Sequence, residues 1–181
     1  MPNGANLAEK RRPYWRRGAD DVRFVIARLR DQRIARQDRV VVVGHSHGGD
    51  IAMLLASEEP RALAAVFTLD NRRMPFPRLR RPQLCSVRSS DMPADPGVLP
   101  TAEEQSSLGI VVVRLDIRHD DMSDAAPASQ QALMVAALDR CLMQPKTPGR
   151  PPRTNPPEGP LGAVSGAPGQ AGRCAALRPS S

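Results

Sequence analysis

The chain has 181 residues, 26 basic against 19 acidic side chains, a net charge of +7 and only 3% aromatic residues. That length suffices for one ordinary domain whose core is supplied mainly by aliphatic side chains. No run approaches the roughly 20 consecutive apolar residues that a membrane-spanning helix needs, and the polar, basic start from Met1 to Arg17 lacks the apolar stretch of a secretory signal.

The first 18 residues read as a poorly ordered lead-in. From Ala19 to Arg36, Val22, Val25, Ile26 and Leu29 fall at i, i+3, i+4 and i+7, the stripe of an amphipathic helix. Asp20 and Asp21 sit in its first turn, where the helix dipole favours negative charge. Val40 to Val43 is an unbroken β-branched run, the pattern of a parallel strand covered on both faces. Asp50–Ser57 is helical, Ala64–Leu69 a second apolar strand, Gln83–Val87 a weaker third and Ile110–Leu115 a strong fourth. The link Asn71–Pro82 holds three prolines and no helical pattern. Thr101–Leu108 reads as a short helix. Ser129–Leu142 places Leu133, Met134, Ala137, Leu138, Cys141 and Leu142 on one helical stripe. Strands alternating with helices predict an α/β fold with about four parallel strands over residues 19–143. From Gln144 onward Pro, Gly, Ser, Ala and Arg dominate without apolar periodicity, which predicts a disordered tail over 144–181.

The positive charge is almost all arginine, spread through Arg11–Arg17, Arg72–Arg81 and Arg150–Arg178. With little aromatic interleaving and no recognisable binding module, it does not predict a specific nucleic-acid partner. Cys85, Cys141 and Cys174 follow no metal-ligand spacing. They read as reduced thiols, which agrees with a cytoplasmic location.

The chemistry concentrates in Val43-Gly44-His45-Ser46-His47-Gly48-Gly49-Asp50. Gly44-x-Ser46-x-Gly48, directly after a strand and directly before a helix, is a nucleophile elbow. A strand turning sharply into a helix puts the serine at the apex of a strained backbone, and small residues at both flanks avoid collision across the turn. A serine hydroxyl needs a base to take its proton, and the chain has only three histidines. His45 and His47 flank Ser46, so their side chains should point away from its hydroxyl. His119, just past the fourth strand, is the candidate base. The acid that orients its imidazole should lie between Ser46 and His119 in the chain. Asp91, after the third strand, is the first choice. Asp70, which ends the second strand, and Asp95, in Asp95-Pro96-Gly97, are the alternatives. The backbone N–H of His47 is one expected oxyanion donor.

Ala19-Asp20-Asp21-Val22-Arg23-Phe24-Val25-Ile26, Gly44-His45-Ser46-His47-Gly48-Gly49 and Arg118-His119-Asp120 together resemble bacterial α/β-hydrolases. The group they resemble is the predicted dienelactone hydrolases, related to platelet-activating-factor acetylhydrolases. The resemblance covers residues 14 to 143. It implies the C-terminal half of an α/β-hydrolase fold, with the N-terminal strands and the loop carrying the second oxyanion donor lying before Met1. On that implication the Val40–Val43 strand becomes an exposed apolar edge open to self-association.

The expected activity is hydrolysis of a small-molecule carboxylic ester or thioester through an acyl-enzyme, with no cofactor. A catalytically inactive hydrolase fragment lacking a complete oxyanion hole is the alternative. A zinc site at His45-x-His47-x-x-Asp50 has too few ligands to compete.

Overall fold

Four short apolar segments pair side by side in the order in which they occur. The computed structural model describes residues 4–34 and 40–143. Its elements are helix α1 (Gly4–Asp31), strand β1 (Val41–His45), helix α2 (His47–Glu58), strands β2 (Ala65–Leu69) and β3 (Gln83–Arg88), helix α3 (Ala102–Leu108), strand β4 (Val111–Arg114) and helix α4 (Ala128–Leu142). The sheet runs β1-β2-β3-β4 and every pairing is parallel. Parallel neighbours need crossovers, and α2 and α3 supply two of them. The β2–β3 link has no regular helix, as its prolines predict.

Side chains alternate across the sheet with the period of a strand. Val66 of β2 and Leu84 of β3 face Ala52, Met53, Leu55 and Ala56 of α2 and Ile26 of α1. Ala65, Phe67 and Cys85 face Cys141 of α4 on the opposite side. Val87 packs with Met134 and Ala137 of the same helix. Each such buried large side chain contributes about 1.5–3 kcal/mol relative to leaving it in water. Cys85 and Cys141 are joined as a disulfide, not left as the two reduced thiols expected. Their strand and helix positions face each other directly, a proximity that spacing in the chain does not disclose. Cys174 and the tail from Gln144 lie outside the described residues.

The N-terminal region differs from the expected lead-in. α1 begins at Gly4 and carries Pro13 within it. Trp15 and Ala19 are buried against Leu54 of α2, and that contact gives this stretch the apolar anchor a disordered segment lacks. Gly18 lets the helices close: a Cβ there would sit 2.5 Å from Ile51 Cδ1. The buried stripe of α1 is therefore Trp15, Ala19 and Ile26, while Val25 is 52% exposed. At the rim, Arg23 bridges Glu58, the last residue of α2, and Glu59 just after it. Those two carboxylates, Glu58 first, hold its proton more tightly than usual.

β1 departs from the expectation of burial on both faces, since Val41 is 44% and Val43 55% exposed. Among the described residues it pairs only with β2 and forms an edge of the sheet. α4 narrows in the same way: Met134, Ala137 and Cys141 are buried, whereas Leu133 and Leu142 are more than half exposed.

Candidate active site

All four strands point the same way, so their C-terminal ends and the segments that follow them gather along one edge of the sheet. In open parallel sheets that edge is the usual place for a ligand. β1 delivers Ser46 there, β2 delivers Asp70, β3 delivers Arg88 and Ser89, and the segment after β4 brings in His119.

Ser46 takes φ 52° and ψ −116°. This is a left-handed conformation that costs a non-glycine residue about 1–3 kcal/mol. Surrounding bonds hold it: Ser46 N–H donates to Leu69 O at 2.8 Å, and Ser46 O accepts from Asp50 N–H at 3.2 Å as α2 begins. Gly44 is required by contact, because a Cβ there would lie 2.3 Å from Gly48 O and 2.7 Å from Gly49 N. Gly48, expected to be needed for the same reason, faces open space within 4 Å. The second tight glycine is Gly49, where a Cβ would lie 2.8 Å from Asn71 Cβ and 3.2 Å from Thr68 Cβ.

His119, the candidate base, comes within hydrogen-bond distance of the Ser46 hydroxyl. His119 is 7% exposed and opens a single 3₁₀ turn, His119–Asp121. Its Nε2 is 2.9 Å from Ser46 Oγ, and its Nδ1 is 2.6 Å from Asp70 Oδ2. A carboxylate accepts, so the ring proton is on Nδ1, and Nε2 offers its lone pair to the serine hydroxyl. His45 stacks against this ring with centroids 4.7 Å apart, and its Nε2 lies 3.2 Å from His119 O. His47 Nδ1 accepts from the Trp15 indole N–H at 3.2 Å. Both flanking histidines thus turn away from the hydroxyl. His47 is the first residue of α2, so its backbone N–H precedes the first intrahelical bond and stays available at the positive end of the helix.

The carboxylate that meets the His119 ring is that of Asp70, one of the alternatives, and not that of Asp91. Asp70 follows β2, the strand hydrogen-bonded to β1, so it lies directly beside the elbow. A φ of 58° turns its side chain across the strand end, a conformation aspartate tolerates better than most residues. It is fully buried and accepts from Ser89 N–H at 3.1 Å, Ser89 Oγ at 2.7 Å and Arg88 Nη2 at 2.8 Å in addition to the imidazole. Asp91 also meets His119, but at the main chain: its Oδ1 accepts the His119 backbone N–H at 2.7 Å. That hydrogen bond is the largest reason its carboxyl is held below the usual carboxylate range. Ser90 N–H donates to Ile117 O at 3.0 Å, pinning this loop alongside the segment before His119 and leaving the ring to turn toward Asp70. Asp95 is also removed from the ring. Its carbonyl accepts from Val98 N–H at 3.2 Å in a turn with Gly97 at φ 78°, and its carboxylate faces Arg73 at 3.9 Å.

Arg88 and Ser89 belong to the site's framework and were not singled out from the sequence, and Asp50, weighed there only as a zinc ligand, belongs to it too. Asp50 Oδ1 accepts the backbone N–H groups of Arg72, Arg73 and Met74 at 3.2, 2.9 and 2.9 Å, fixing the chain just after Asp70. The signals available in the sequence were an aspartate in the first turn of α2 and an arginine closing β3. With Asp50 so committed and His45 and His47 diverging, these three do not converge on a metal. Among the described residues no group of three or more His, Cys, Asp or Glu side chains is placed to hold one, and no helix is long and apolar enough to cross a membrane.

No family model, no curated protein and no solved structure matches this chain.

Proposed function

We propose that this chain is a serine hydrolase of the α/β-hydrolase kind, acting on a carboxylic ester or thioester. The observation that carries the reading is the continuous path from Ser46 Oγ to His119 Nε2 at 2.9 Å and from His119 Nδ1 to Asp70 at 2.6 Å. Ser46 Oγ attacks the acyl carbon while His119 Nε2 takes its proton, and buried Asp70 stabilises the imidazolium that forms. The carbonyl oxygen becomes an oxyanion facing the His47 backbone N–H. When the tetrahedral intermediate collapses, the bond to the alkoxide or thiolate breaks and His119 returns its proton to the departing group. Water then gives a proton to His119 and attacks the acyl carbon; as the bond to Ser46 Oγ breaks, His119 returns that proton to Oγ, releasing the acid and restoring the serine. The choice of ester and thioester rests on the resemblance of the elbow and histidine segments, an argument by analogy.

Fluorophosphonate labelling of the purified chain tests this directly. Labelling that disappears in Ser46→Ala supports an assembled nucleophile and base. A folded wild-type chain that does not label is an inactive fragment, and the reading fails. The reading extends to self-association of two copies through the edge of β1, where Val41 and Val43 are exposed. A sedimentation coefficient independent of concentration would remove that extension.

A further inference from the structure

Arg88 is a fully buried arginine at 1% exposure. Burying a guanidinium is costly unless its donors and charge are met. Its Nη2 lies 2.8 Å from Asp70 Oδ1 and 3.2 Å from Met92 O, and its Nη1 donates to Asn71 O at 2.5 Å. One planar group therefore joins the acid, the residue after the acid, and the loop whose Asp91 holds the His119 backbone. The two oxygens of Asp70 are divided between partners: Oδ1 takes Arg88 and Ser89 N–H, and Oδ2 takes His119 and Ser89 Oγ.

We propose that Arg88 is a positioning residue for the Ser46–His119–Asp70 path, fixing the Asp70 carboxylate so that Oδ2 stays aimed at His119 and offsetting part of its charge. The proposal rests on the hydrolase reading above and goes beyond it, because it assigns a control on how readily His119 accepts and releases a proton. A buried carboxylate facing an imidazole favours its protonated form. A guanidinium on the far oxygen weakens that pull. Burial pushes the Arg88 guanidinium down from its ordinary value, Asp70 opposes that, and Arg114 and Arg72 push in the same direction as burial while Asp50 opposes it more weakly. Among the described residues, other charged or titratable groups beside His119 are His45, stacked on the ring, Asp91, on the His119 backbone, Arg118, paired with Asp91, and Asp120 and Asp121 of the same turn.

Two substitutions separate charge from geometry. Arg88→Gln removes the cation and keeps an amide donor, whereas Arg88→Lys keeps the cation and loses the planar fork. The measurement is the pH dependence of His119, followed both by its imidazole NMR resonances and by the rate of fluorophosphonate labelling. In Arg88→Gln the imidazolium gains stability, so the acidic limb moves to higher pH by about half a unit or more. In Arg88→Lys the limb stays near that of wild type while labelling slows about tenfold through lost alignment. A purely structural arginine would lower stability in both variants and leave the limb in place. Coincident limbs in wild type and a folded Arg88→Gln overturn the proposal. If Arg88→Gln does not fold, Arg88→Lys decides, and a lysine variant that labels at the wild-type rate overturns it equally. The NMR titration needs no turnover. A wild-type chain that does not label, but whose His119 titration still moves with the Arg88 charge, would sink the hydrolase reading and leave this one standing.

Discussion

Asp70 and Asp91 follow adjacent strands of one sheet, and each makes a short hydrogen bond to the same histidine, one to its ring and the other to its main chain. Their surroundings differ as much as their targets. Asp70 is fully buried and accepts four donors, while the Asp91 side chain is 36% exposed and shares its second oxygen with a surface arginine. The comparison teaches that which carboxylate serves the ring is settled by strand adjacency and one backbone dihedral. Asp70 leaves β2 beside the elbow at φ 58°. Asp91 leaves β3 one strand further from Ser46 and meets the histidine from below its backbone.

The sharpest way to break the comparison is to neutralise each carboxylate in turn. Asp70→Asn keeps size and removes charge, and its amide can donate to Nδ1, driving the ring proton to Nε2 where it faces the serine. The expected loss in labelling rate is about 10⁴-fold, the magnitude known when a serine–histidine pair loses the right tautomer. A variant retaining a tenth of wild-type labelling would show that Asp70 is not the acid.

Asp91→Asn should cost about tenfold or less, because the amide oxygen still accepts the His119 N–H and only the charge-assisted part of the bond is lost. The sign of its pH dependence follows from the direction of the shift. Asp91 is depressed below the usual carboxylate range, so its hold on His119 is complete above that range and fades only as pH falls through the depressed value. Wild type and Asp91→Asn should therefore differ at neutral pH and converge at the acidic end of the profile. A gap that widens on acidification would contradict this account.

Much of this was readable before the fold was known. Runs such as Val40–Val43 and Ile110–Val113 announce parallel strands, because few other environments favour unbroken β-branched residues. Gly44-x-Ser46 announces the elbow, because the close approach to Gly48 O excludes a side chain. Ser46 and His119 follow from that and from the scarcity of histidine. Which carboxylate meets the ring did not follow. Asp70, Asp91 and Asp95 all satisfy the order of serine, acid and histidine, and only the pairing of β2 with β1 separates them. The helical reach of α1 was hidden for a related reason: Pro13 and the missing apolar stripe before Ala19 argue against a helix, and the buried contact of Trp15 and Ala19 with Leu54 overrides them. Arg88 stayed invisible because an arginine's usual place is the surface, and its partner was known only once Asp70 was.

The smallest effect belongs to Arg118, and it tests whether Asp91 acts through its own hydrogen bond or through the ion pair behind it. Arg118 Nε lies 3.5 Å from Asp91 Oδ2, with the arginine side chain 72% exposed. An exposed pair of that length is screened by solvent and contributes about 0–1 kcal/mol. Arg118→Ala should therefore change labelling by less than about twofold, and the change should vanish in high salt. If Arg118→Ala instead matched Asp91→Asn, the carboxylate would be held in place by the arginine, and the His119 backbone bond would be a consequence of that pairing. A double variant no slower than Asp91→Asn alone would leave the backbone hydrogen bond as the contact through which Asp91 acts.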